Sequence, residues 1–184
     1  MKTPISLLWQ CFGCPVAIFT GMILISVISL AGAIASELFL GLEPCQLCIY
    51  QRWVFVAAIL VGVFGLIGRK DKRVSLAFTL AGGLVFLLNS AVAFYHTGVE
   101  QKWWESALEG CGVPESFLEG DNSTQSWIDN IMAAPSAPCS LIPWQDPIIG
   151  LSMANYNMIM CFGLFAACMV AAYRLKKSDV DFKV

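Results

Sequence analysis

Charge is what this sequence has least of. Asp, Glu, Lys and Arg make up 13% of its 184 residues, and residues 3–36 contain none. A chain that is 58% hydrophobic, with a mean hydropathy of +0.71, is excluded from the water-soluble domains and reads as one integral membrane domain. The 11 basic and 13 acidic residues form no basic arm or patch, which excludes nucleic acid as a partner. Histidine occurs once, at His96. Cysteine is the exception to this scarcity, with eight residues, too many in so apolar a chain to read as a secreted disulfide scaffold. Each cysteine has to be sorted by the membrane face it meets.

The gaps between charges mark four spans, since about 20 apolar residues are needed to cross the hydrocarbon. They are 15–36, 45–68, 74–98 and 147–173. For the first, a cleaved signal peptide is the alternative, but its apolar part is too long and its small residues are spread through it, which favours a retained span. Arg69, Lys70, Lys72 and Arg73 crowd the 69–73 turn, and Arg174, Lys176 and Lys177 follow the last span. The 99–146 loop holds one base, Lys102, against eight acids. The positive-inside rule then puts both termini and the 69–73 turn in the cytoplasm, and the 37–44 connection and the long 99–146 loop outside. The expected fold is all-α: a four-transmembrane-helix bundle with a long periplasmic loop between helices 3 and 4.

Chemistry concentrates at the start of the second span, in Glu43-Pro44-Cys45-Gln46-Leu47-Cys48-Ile49-Tyr50-Gln51-Arg52. Cysteines three apart share a helix face, and Pro44 suits a first helical turn. The helix dipole and unpaired N–H groups there favour a thiolate. Arg52 lies four residues beyond Cys48 and is the only charge between Glu43 and Arg69. An ionisable residue within a span is a functional-site candidate, and a cation beside a thiolate or a reduced quinone is favourable. Redox chemistry leads over metal binding or an unreactive C-x-x-C pair on that ground. Cys111 and Cys139, 28 residues apart in the outer loop, form a second pair on the same side. A structural disulfide closing the loop is one reading, and dithiol exchange with the first pair is the other. Cys11-Phe12-Gly13-Cys14 falls on the cytoplasmic side and reads as incidental, with metal binding or a second redox pair as alternatives. Cys161 and Cys168 read as small packing residues of the last span.

Tyr95, Trp103 and Trp104 stand where the third span leaves the membrane, as interfacial aromatics do. Trp127, Ile128, Ile131 and Met132 follow helical spacing, for a surface amphipathic helix or a turn of soluble helix. Asn122-Ser123-Thr124 is a glycosylation pattern that has meaning only in a host with that machinery.

The chain resembles the bacterial disulfide bond formation protein B family, quinone-linked oxidases of the inner membrane. The resemblance runs from the first span to the fourth. It rests on the Pro44–Arg52 motif, on Tyr95-His96-Thr97-Gly98-Val99-Glu100-Gln101-Lys102-Trp103-Trp104 ahead of Cys111, and on Pro138-Cys139-Ser140-Leu141-Ile142-Pro143-Trp144 running into Gly150-Leu151-Ser152-Met153-Ala154. It implies a thiol:quinone oxidoreductase with two redox disulfides, Cys45–Cys48 and Cys111–Cys139. Cys48 would attack the ring of ubiquinone or menaquinone, with Arg52 beside the quinone and His96 near it. Cys111 would exchange with a periplasmic DsbA-like thioredoxin-fold oxidase, and Cys139 would pair with Cys45 during turnover. No resident metal is implied, and Cys11 and Cys14 inherit no role.

Such a partner is itself strongly oxidising, at about −120 mV, so only an acceptor such as a quinone pulls the exchange forward. Two other classes compete. A relative of vitamin K epoxide reductase is disfavoured because the pair here opens the second span and is followed by Arg52. A non-enzymatic cysteine metal-binding protein is disfavoured because Glu43 and His96 are the few further ligands nearby.

Overall fold

The computed structural model describes residues 13–108, 111 and 138–177. Four helices carry them: α1 Pro15–Leu40, α2 Gln46–Ile67, α3 Lys72–Glu100 and α4 Met153–Lys177. In hydrocarbon every backbone N–H and C=O needs an internal partner, which only a helix gives to a single apolar segment. The shortest, α2, has 22 residues and spans about 33 Å at 1.5 Å each, enough to cross. All four are long and apolar enough to be membrane spans, and the protein is a multi-pass membrane protein. Large apolar side chains accordingly face outward, Ile28 at 68%, Ile67 at 71% and Phe39 at 84% exposure.

Local chemistry sets the ends. Pro15 opens α1, and Gly41, in the left-handed conformation at φ 64°, closes it with its N–H on the Ser36 carbonyl. Asp71 caps α3, accepting from the Arg73 and Val74 N–H groups at 2.7 and 3.3 Å. The third helix runs to Glu100, so Val99 and Glu100 belong to it and not to the loop expected from 99. The fourth begins at Met153, later than the expected 147. Residues 146–151 form a turn in which the Asp146 carboxylate takes the Ile148 and Ile149 N–H groups and Gly150 sits at φ 73°. Among the described residues, the only extended pairing is the isolated bridge Gln145–Ser152.

Neighbours in sequence are neighbours in space: α1 packs on α2, α2 on α3, and α3 most heavily on α4, while α1 barely meets α4. A Cβ at Gly65 of α2 would collide with the Phe19 ring of α1, so glycine there sets the close approach of the two helices. Phe19, Met22, Phe55, Ala58, Phe86, Cys161 and Cys168 fill the middle of the bundle. The loosely closed α1/α4 side leaves a cavity.

Candidate functional site

The cavity measures about 770 Å³ and is mostly apolar. Cys45, Cys48, Gln51 and Arg52 reach it from α2 and its cap, His96 and Glu100 from α3, and Asn157 from α4. Residues 138 and 141–143 of the returning loop cover it.

Cys45 is the N-cap of α2, in extended conformation, and stands one residue outside the span. Three groups converge on its sulfur: the Cys48 S–H at 3.3 Å, the Cys48 backbone N–H at 3.4 Å and His96 Nε2 at 3.5 Å. The Cys48 S–H bond first, and the His96 contact with it, hold the Cys45 pKa well below the usual thiol range against the opposing effect of burial. Here the spacing Cys-x-x-Cys matters physically, because it points the second thiol at the first while the helix N-terminus adds its own donor.

Cys111 and Cys139 form a disulfide. Both are fully buried and pack in one cluster with Cys45, Leu47 and Val99, flanked by Cys48, Tyr95 and Leu108. The oxidised loop pair therefore lies against the reduced helix pair. The loop is tied down locally: Trp104 folds over Gly98 and donates Nε1–H to the Tyr95 carbonyl, and the Tyr95 hydroxyl accepts the Ala107 N–H at 2.8 Å. A Cβ at Gly98 would collide with that indole.

His96 bridges the two pairs. Its Nε2 lies by Cys45 and 3.7 Å from Glu100 Oε1, and the Cys139 backbone carbonyl faces the same ring. Gln51 Nε2 donates to Nδ1 at 3.1 Å, which assigns the ring proton to Nε2. Gln51 Oε1 in turn accepts from Asn157 Nδ2 at 2.6 Å, and Asn157 Oδ1 accepts the Cys161 S–H at 3.2 Å. Glu100 accepts from the Ser152 hydroxyl, which itself accepts from the Asn155 backbone and side chain. Gln51, His96, Glu100 and Ser152 are all buried, and a network satisfied in this way fixes the ring's position in a low-dielectric setting.

Arg52 lines the cavity near Cys48 with two of its N–H groups committed to α1. Nη1 donates to Glu37 at 2.7 Å and Nη2 to the Ala33 carbonyl at 3.3 Å.

Of the residues expected from the sequence, Cys45, Cys48, Arg52 and His96 line the same cavity, and the Cys111–Cys139 disulfide packs against Cys45. Cys14 is exposed and precedes α1, while Cys11 and the Trp127–Met132 segment lie outside the described residues, as does Asn122. Glu37, Gln51, Glu100, Ser152 and Asn157 were not singled out by sequence reasoning. For Gln51, Ser152 and Asn157 the available signal was a polar side chain inside an apolar span, and for Glu100 its place one turn after His96; Glu37, counted with the 37–44 connection, carried none.

The family model of disulfide bond formation protein DsbB matches residues 16–171. The disulfide bond formation protein B of Xanthomonas axonopodis pv. citri is 31% identical over 155 residues, covering 82% of this chain and 86% of that protein. Its namesake in Xanthomonas campestris pv. campestris is 32% identical over 152 residues, covering 79% and 83%. The Xylella fastidiosa protein of that name is 30% identical over 149 residues, covering 80% and 84%. No solved structure matches the chain significantly.

Proposed function

The chain belongs to the DsbB family of disulfide bond formation proteins, and from that premise we propose that it reoxidises a periplasmic DsbA-like dithiol oxidase and passes the electrons to ubiquinone or menaquinone in the bacterial inner membrane. It is a disulfide-forming membrane oxidoreductase; the partner, the acceptor and the residue roles are our reading. One observation carries that reading: a buried disulfide lies in one cluster with a dithiol whose first sulfur is buried and whose second is half-buried, and that dithiol lines a cavity.

Exchange proceeds sulfur by sulfur. A thiolate of the reduced partner attacks Cys111, Cys139 leaves as thiolate, and the partner's second thiol closes its own disulfide and frees Cys111. Cys139 then attacks Cys45 in a Cys45–Cys48 disulfide, and Cys48 leaves. Cys111 attacks Cys139, restores the loop disulfide and releases Cys45 as a thiolate, which Cys48 and His96 stabilise. Loop oxidised and helix pair reduced is the arrangement of sulfurs in the structure.

The cavity fits a quinone ring: it is apolar, holds some 770 Å³ and is bordered by Cys48 and Arg52. A quinone bound there supplies an acceptor for two electrons and two protons. Arg52 would hold it with the N–H groups that α1 leaves free, and Cys48, half-buried on the cavity wall, would face it. Quinone reduction by the purified protein with a reduced thioredoxin-fold partner tests the reading. We expect turnover in the wild type and none in Cys45→Ser, Cys48→Ser, Cys111→Ser or Cys139→Ser. Full activity of Cys111→Ser would remove the loop pair from the pathway.

A further inference from the structure

We propose that the reduced Cys45/Cys48 pair and His96 together form a redox-gated inhibitory site for a thiophilic divalent cation, of which zinc is the natural type. Cys45 Sγ, Cys48 Sγ and the His96 ring nitrogen lie within 4.8 Å of one another. A tetrahedral zinc with Zn–S near 2.3 Å and Zn–N near 2.0–2.1 Å requires donor separations of about 3.5–3.8 Å. Two of the three are close to that, 3.3 Å between the sulfurs and 3.5 Å from Cys45 to His96 Nε2. Rotation of the half-buried Cys48 thiol adjusts the third. The fourth corner falls to Glu100, whose Oε1 is 3.7 Å from His96 Nε2, or to a small ligand from the cavity.

Arg52 is the obvious objection, since a fixed cation beside a metal–thiolate centre is repulsive. The structure answers it, because Glu37 pairs with Arg52 at 2.7 Å and cancels its charge locally. Two thiolates then balance the incoming cation, with Glu100 as a further anion at its edge. His96 is already held by its far nitrogen, as metal-binding imidazoles are, through Gln51 and Asn157. When the metal takes Nε2 the ring proton moves to Nδ1, and Gln51 and Asn157 turn their amides together, so that Gln51 Oε1 accepts that proton and Asn157 Oδ1 accepts from Gln51 Nε2.

Binding involves no redox change. The cation displaces the Cys48 thiol proton to solvent and forms two metal–sulfur bonds, to the Cys45 and Cys48 thiolates, and one metal–nitrogen bond. Closing the Cys45–Cys48 disulfide removes both thiolates, so the oxidised protein has no such site. Metal would hold the pair reduced and block the sulfur that Cys139 attacks.

The binding test needs neither quinone nor partner, so the site stands or falls apart from the proposed function, and only its regulatory part rests on that reading. Full-length protein carrying Cys11→Ser, Cys14→Ser, Cys111→Ser and Cys139→Ser is reduced and titrated with Cd2+. We expect a sulfur-to-cadmium charge-transfer band in the ultraviolet that saturates at one equivalent and is abolished by excess Zn2+. The same protein oxidised with diamide should show no band, a comparison that requires no further variant to fold. Adding His96→Ala should weaken binding more than about tenfold, a ligand loss at least as costly as losing an outer-shell partner. A band that survives diamide, or that is unmoved by His96→Ala, places the cation elsewhere and overturns the site. In wild type, Zn2+ should stop turnover and a chelator restore it; binding without inhibition would overturn the regulatory part.

Discussion

Arg52 is a cation in an apolar wall whose guanidinium is oriented from another helix, by Glu37 and the Ala33 carbonyl of α1. Loss of a charge-assisted hydrogen bond costs about 1.5–3 kcal/mol. Arg52→Gln should therefore raise the apparent quinone KM more than tenfold while exchange between the partner and Cys111 continues. Lys should rescue poorly, because an ammonium lacks the planar fork. Glu37→Gln keeps an acceptor for Nη1 but not the charge, and should raise the same KM by a smaller factor with kcat little changed. Steady-state rates against a water-soluble quinone, alongside thiol trapping of the partner, separate these outcomes; an unchanged KM with loss of folded protein would make Arg52 purely structural. Cys45 yields a pH prediction. Its folded pKa is depressed, so in the reduced protein its thiolate stabilises the fold above the unfolded pKa of about 8.5 and that contribution is lost as pH falls through the lower folded value. The thiolate absorbance of reduced wild type minus that of Cys45→Ser should titrate well below about 8.5. A midpoint at or above it would mean that the donors around the sulfur are not seated on it.

At the scale of elements, the turn into α4 depends on Asp146, which accepts from the Ile148 and Ile149 N–H groups and from the Tyr156 hydroxyl at 2.8 Å. Those backbone bonds first, then Tyr156, hold its pKa below the ordinary carboxylate value, so the turn is strongest above that value and loosens as the carboxyl protonates in acid. Asp146→Ala should lower the thermal midpoint at neutral pH and remove part of the acid sensitivity; equal midpoints in both proteins would mean that the turn contributes nothing. This turn also shows why one boundary was hard to read. Residues 147–151 are apolar enough to join the span, and only the side chain of Asp146 and the left-handed Gly150 end it early. The two cysteine pairs, Arg52 and His96 were legible because each is a rare residue in an apolar or cysteine-rich context. Glu37, Gln51 and Asn157 were not, since their meaning lies in the register between helices, which no single span encodes. Glu100 was hidden by its position: counted with the acidic loop, it turns inward only because α3 continues one turn past His96.

At the scale of the whole molecule, α2 sets the distance between the chemistry and the charge. Cys45 caps its beginning and Gly68 its end, about 35 Å apart along the axis, close to the ~30 Å of hydrocarbon. The dithiol and the Arg69–Arg73 turn therefore belong to opposite faces of the membrane, whichever way the bundle is inserted. We propose the direction from positive-inside bias: the last turn of α4 adds Arg174, Lys176 and Lys177 at the same face as that turn, which makes that face the cytoplasmic one. Cys14, exposed ahead of α1, sits on that face as well, since α1 runs antiparallel to α2 through the short connection at Gly41. Periplasm-active reporters fused after Gly41 or Gly120 should be active, and fusions after Lys72 or at the C-terminus should be silent. Independently, a membrane-impermeant maleimide should leave Cys14 unlabelled in intact cells and reach it once the inner membrane is opened. Labelling of Cys14 from outside together with an active fusion after Lys72 would invert the bundle. That would put the Cys111–Cys139 disulfide in the reducing cytoplasm, where exchange with an oxidising periplasmic partner has no physical route.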